Sequence, residues 1–238
     1  MHLYRDHGIV LRTHKLGESD RIVSLMTEDH GKVRAVAKGI RKTRSRFGAR
    51  LEPPSHVAVQ FYEGRELDIV TQAESVDHFR DVRDDLDRLT RAVTMLETVD
   101  QLAMEREPNP AMYRMLLGAL RALAAQDGPL VVAAFFWKVL ALEGFAPLVD
   151  ECARCGTSDD LVAFDLTEGG VLCGADRRGN AIGTDALELL RRILGGRLGS
   201  VLNEPASPAT VELDRLAVRA VEHHLERRLR SVGLLDRG

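Results

Sequence analysis

The apolar residues of this chain change their repeat near residue 78, and that change limits the possible folds more than any other feature. Before it, short runs alternate. Along Lys32–Lys38, Lys32, Arg34 and Lys38 fall on one face and Val33, Ala35 and Ala37 on the other. After it, apolar residues recur every three or four positions. Val82, Leu86, Leu89, Val93, Leu96, Val99 and Leu102 make one helix stripe. A strand-built module followed by a helix-built one is expected, an α+β chain.

Five segments read as short strands: Gly8–Thr13, Arg21–Thr27, Lys32–Lys38, His56–Tyr62 and Leu67–Gln72. Gly31, after Asp29 and His30, supplies one turn, and Glu63-Gly64-Arg65 another. Five such strands in about 75 residues suggest a small closed or nearly closed barrel. Gly39–Pro54 is then the long connection from the third strand to the fourth, broken by Gly39, Gly48 and Pro53-Pro54. Beyond the Val82 stripe, which Pro108 and Pro110 end, helices are expected at Ala111–Ala125, at the apolar run Leu130–Leu142, at Asp185–Leu194 with Thr184 as cap, and at Pro208–Arg230. Residues 150–182 interrupt the helices with a Cys- and Gly-containing insertion. The expected division is 1–78, 79–149, 150–182 and 183–238.

Charge follows the same division. Residues 1–72 carry 13 Lys and Arg against 9 Asp and Glu, although the whole chain has a net charge of −3. The excess sits in Gly31–Leu51, where Lys32, Arg34, Lys38, Arg41, Lys42, Arg44, Arg46 and Arg50 stand with no acid among them. A polyanion is the simplest partner, because each cation that meets a phosphate releases condensed counterions. A solvated charge run is the plainer reading. Against it, Phe47 is interleaved with the arginines, and Arg with aromatic groups on a small barrel is what single-strand binding uses. Phe47 either stacks a base or pins the loop to the barrel. Asp20 and Arg21 read as a local ion pair fixing a turn, and Lys15 and Arg12 as possible extensions of the basic surface.

The three cysteines form C-x2-C-x17-C-x2-D: Cys152, Cys155, Cys173 and Asp176. C-x2-C followed by Gly lets two thiolates reach one tetrahedral ion, and a carboxylate can complete the set for zinc. Their odd number and clustering argue against a disulfide framework and for a reducing, cytoplasmic setting. A vestigial site, a Cys152–Cys155 redox pair and a catalytic zinc remain as alternatives. The last lacks the H-x-E that a zinc deaminase needs before its cysteines. The histidines are scattered, and adjacent His223 and His224 on a helix cannot both face one ligand well. No Ser-His-Asp set, carboxylate pair or phosphate loop is defensible from spacing. Phe135-Phe136-Trp137 reads as core, with room for a groove beside it. Leu130–Leu142, broken by Lys138, is too short to span a bilayer, and Met1–Arg12 lacks the apolar centre of a signal peptide.

Several of these blocks resemble the RecO family of bacterial recombination mediators. The resemblance is carried by Leu16-Gly-Glu-Ser-Asp-Arg-Ile-Val23, by the stretch from His30 to Gly39, by Ser45-Arg-Phe-Gly48, and by Leu140–Pro147 leading into Cys152-Ala-Arg-Cys155-Gly. It implies a five-stranded OB-fold followed by a helical domain with an inserted zinc knuckle, the zinc being structural. It implies a non-enzymatic protein that binds single- and double-stranded DNA, anneals complementary strands, and works with RecR and single-stranded-DNA-binding protein to load RecA at the nucleoid. Asp176 departs from the family pattern, which usually has a fourth Cys there. A zinc-dependent nucleic-acid-modifying enzyme and a DNA-independent interaction scaffold are the competing readings.

Overall fold

The computed structural model describes residues 2–42, 45, 47–126 and 128–231. By packing, these form two bodies: residues 2–125 joined by 229–231, and residues 126–228.

The first body is built on five strands: β1 (Leu3–Leu16), β2 (Asp20–Thr27), β3 (Gly31–Ala37), β4 (His56–Tyr62) and β5 (Asp68–Asp77). They close into a barrel in the order β1-β2-β3-β5-β4, with β4 returning to β1. This is the five-stranded OB arrangement. Every other residue of β3 is buried, as its alternation requires. In β1 the alternation fails, because Ile9, Val10 and Leu11 are all buried. The register with β2 slips between Val10 and Arg12, a bulge that lets neighbouring side chains serve the barrel interior and its outer cover. The strands run longer than their apolar cores suggest, most of all β1 and β5.

Closure is weakest between β3 and β5, whose parallel pairing covers only Ala35–Asp68 and Val36–Ile69. A strap from the helical segment reinforces β3 beside it. The Arg106 N–H donates to Lys32 O at 2.9 Å, Glu105 bridges Lys32 in parallel, and the Arg106 guanidinium reaches the fully buried Asp68 at 2.7 Å. Gly31 is required here. A Cβ at that position would lie 1.9 Å from the Glu107 carbonyl oxygen, and its φ is +68°.

Three helices cover the barrel: α1 (Arg80–Arg83), α2 (Leu86–Leu102) and α3 (Pro110–Ala125). The single stripe expected from Val82 is two helices. Asp85 caps α2 by accepting the Arg88 N–H, and Leu86, counted in the stripe, is 77% exposed. Helix α2 packs on β1 and β2, and α3 on β2. Buried His56 of β4 meets the Tyr113 hydroxyl of α3 at 2.8 Å. By packing, then, α1–α3 belong with the barrel, although the change of repeat near 78 marks where strands give way to helices.

In the second body, α4 (Val131–Leu142) is buried on most sides and packs against α7 (Pro208–His224) and α5 (Thr184–Leu194). Helix α6 (Leu198–Val201) is one short turn. The insertion forms a small sheet of β6 (Leu161–Asp165), β7 (Gly170–Cys173) and β8 (Asn180–Ala181), ordered β7-β6-β8. Trp137 of α4 lies 5.6 Å from Phe164 of β6, ring to ring. Two helix ends differ from expectation. Gly183, not Thr184, is the N-cap of α5, and its N–H donates to Glu212 at 2.9 Å. Helix α7 stops at His224, short of Arg230, where Glu226 takes a φ of +51°. Residues 229–231 return to the first body, where the Glu97 carboxylate accepts from the Arg230 and Ser231 N–H groups and the Ser231 hydroxyl.

Candidate nucleic-acid interface and metal centre

The connection between β3 and β4 owes its course to alternating chemistry. Ile40, Phe47 and Leu51 turn inward and join the barrel core with Val33, Val57 and Phe61. Arg41, Lys42 and Arg50 are exposed between them. Local bonds tie the described backbone: Lys42 N donates to Gly39 O, Ser45 N to Lys42 O, and Arg50 N to Phe47 O. A short 3-10 turn at Gly48–Leu51 ends the path. Phe47 is 1% exposed. Its ring lies in the barrel core and so pins the loop.

The eight basic residues named from sequence separate into three groups. Lys38, Arg41, Lys42 and Arg50 are exposed on or beside the loop. Lys32 and Arg34 share a strand face, as the alternation requires, but carboxylates of the first body already meet them. Lys32 Nζ donates to the Asp100 carbonyl at 2.6 Å and lies 3.9 Å from its carboxylate, while Arg34 pairs with Glu105 at 3.2 Å. Arg12 likewise pairs with Asp100 at 2.8 Å. Arg44 and Arg46 lie outside the described residues. Lys15 is exposed on β1, near the β1–β2 turn whose Gly17 carbonyl accepts from the Arg41 guanidinium at 3.4 Å.

Asp20 and Arg21 do not fix a turn by pairing with each other. Asp20 accepts the Gly39 N–H at 2.7 Å and the Ser19 hydroxyl at 2.9 Å. Arg21 pairs with Glu52, whose main-chain carbonyl accepts from Arg83. These contacts hold the two feet of the basic loop. The sequence signal for them is only the Ser19-Asp20-Arg21 block itself, because their partners lie 19 and 31 residues away.

In the second body, Cys152, Cys155, Cys173 and Asp176 converge. Their ligand atoms all lie within 4.8 Å of one another, in the one such group among the described residues. Cys155 and Cys173 Sγ are 3.7 Å apart, and Asp176 Oδ2 is 3.7 Å from both Cys152 and Cys173 Sγ. Four ligands around zinc at a Zn–S bond of about 2.3 Å would be separated by ~3.8 Å, so the donor set fits that ion. The other Asp176 oxygen faces Arg154 at 3.7 Å, which orients the carboxylate to offer one atom to the cluster. Burial pushes the Cys152 thiol up, but the backbone amides of Cys155, Cys173 and Arg154 outweigh it and hold it at about 7. The neighbouring Cys155 thiol moves the other way: the Thr157 amide pulls it down, but its hydrogen bonds with Cys152, Cys173 and Asp176, together with burial, push it up to about 11. The knuckle has little apolar support of its own, since its buried cluster is Cys152, Ala163, Leu172 and Cys173.

Phe135, Phe136 and Trp137 are core. Beside them an open cavity of about 580 Å³ is bordered by Trp137, Phe145, Phe164, His223 and His224. Among the described residues, no helix is long and apolar enough to cross a membrane. Comparison with protein-family models gives two matches. Residues 1–79 match "Recombination protein O N terminal", and residues 83–232 match "Recombination protein O C terminal".

Proposed function

Because the chain belongs to the recombination protein O family, with its recombination-mediator role in DNA repair, we propose that it acts by annealing complementary strands and by helping to load RecA onto single-stranded DNA coated with single-stranded-DNA-binding protein, together with RecR. The observation that most supports this reading is the basic loop on the OB barrel. Its apolar residues are sunk in the core, which leaves Arg41, Lys42 and Arg50 outward with Lys38 beside them.

The mechanism follows from phosphate neutralisation. Cations at the loop displace condensed counterions from a strand and lower its repulsion toward a second strand, which permits pairing. The same contacts compete with a coating protein for the backbone. Lys38, Arg41, Lys42, Arg44, Arg46 and Arg50 are the proposed contacts. Lys32 and Arg34 contribute less, because Asp100 and Glu105 already neutralise them. The barrel, residues 1–78, is the proposed DNA-binding part. Cys152, Cys155, Cys173 and Asp176 would hold zinc, which would cross-link the 150–182 segment and so brace the second body without chemical turnover. A cytoplasmic place at the nucleoid fits this role.

The test is annealing of two complementary oligonucleotides, each precoated with the cognate single-strand-binding protein. The native chain should anneal them, and an Arg41→Ala, Lys42→Ala, Arg44→Ala variant should not. Native protein that binds the strands without annealing them would sink the mediator mechanism. A salt-independent DNA affinity would remove phosphate neutralisation.

A further inference from the structure

Two adjacent residues of β2 reach opposite feet of the basic loop. At the first foot, Asp20 accepts the N–H of Gly39, whose φ of +68° starts the loop, and the Arg41 N–H donates to the neighbouring Ser19 carbonyl at 3.0 Å. At the second, the Arg21 guanidinium holds the Glu52 carboxylate, and Arg83 reaches both the Glu52 carbonyl and the Ser55 hydroxyl. We propose that Asp20 and Arg21 are positioning residues for the nucleic-acid contact, fixing the feet of loop 39–52 so that Lys38, Arg41, Lys42 and Arg50 are presented together. The proposal rests on the reading of this loop as the DNA contact.

Its force comes from a conflict of signs. Asp20 is an acid set between Lys38 and Lys42. The Gly39 amide and then the Ser19 hydroxyl hold its carboxyl below the usual carboxylate range, and both lysines add to this, so it is ionised. By charge alone, a carboxylate within a phosphate-binding surface opposes the ligand, and so does Glu52. Removing either should strengthen binding if charge were all that mattered. A positioning role demands the reverse, because a loop ordered before binding loses less freedom on meeting DNA.

The experiment measures the affinity of the full chain for a fluorescent oligothymidylate by anisotropy, across a salt series. Asp20→Ala should bind about fivefold more weakly despite its lost negative charge. Asp20→Asn, whose amide oxygen still accepts from Gly39, should restore most of the affinity. Glu52→Gln, which breaks the ion pair at the other foot, should also weaken binding, and it tests the proposal independently should Asp20→Ala fail to fold. Equal or tighter binding by a folded Asp20→Ala or by Glu52→Gln would overturn it. An Arg41→Ala, Lys42→Ala variant is the control. Native affinity in that variant would refute the loop as the DNA contact, whereas weak binding there beside native affinity in Asp20→Ala refutes the positioning role alone.

Discussion

The basic loop and the cysteine knuckle are both irregular segments, and they are ordered in opposite senses. In the loop, Ile40, Phe47 and Leu51 turn inward and the cations turn out. In the knuckle, three thiols and a carboxylate come within 4.8 Å of one another, with Cys152 and Cys173 buried beside Ala163 and Leu172 and Cys155 exposed. The first is held by the barrel and leaves its charge exposed. The second gathers groups that would repel once the thiols ionise, a donor set that a cation could hold together.

The largest effect expected from this contrast is metal removal. Chelation, or Cys152→Ser, should lower the melting temperature of the second body by more than about 10 °C. Oligonucleotide binding by the first body should persist, and its loss on chelation would break the contrast. Phe47→Ala should cost about 3–5 kcal/mol in urea unfolding of the first body, because a buried ring is deleted from the barrel core. A small cost would mean that the loop is not anchored as described. Arg41→Ala with Lys42→Ala should leave stability unchanged. It should weaken DNA binding about tenfold at low salt and flatten the log affinity against log salt slope by about 1.5–2. The smallest effect concerns pH. Burial, then the nearby charges of His7 and Arg121, push the His56 pKa below its ordinary value, so the folded first body binds fewer protons there than the unfolded chain. Its stability should be full above the ordinary histidine pKa of about 6.5 and fall as pH drops below it. Hydrogen exchange of β4 amides should show this in the native chain and much less in His56→Gln.

The alternation of β3, the apolar run of α4 and the clustering of the C-x2-C cysteines were legible because each is a local pattern. What was not legible depends on partners distant along the chain. The shared face of Lys32 and Arg34 could be read, but not the approach of Asp100 and Glu105 from 68 and 71 residues away. Asp20 and Arg21 looked like neighbours that pair, whereas Asp20 bonds to Gly39 and Arg21 to Glu52. Leu86 fitted a helical stripe but sits just after the cap of α2, where the chain has not yet reached the barrel wall. Phe47 was ambiguous in sequence because an aromatic among arginines serves stacking and anchoring equally well, and only its burial separates the two.

The return of residues 229–231 to Glu97 sets an order of events in time. Glu97 takes its donors from positions 133 and 134 residues later. At about 5–20 residues per second, synthesis separates them by roughly 7–27 s. A barrel of this kind closes in milliseconds to seconds. The first body therefore takes shape while Glu97 is still hydrated, and residues 126–228 are made before the clasp that finishes it is available. The part of the chain that is begun first is completed last.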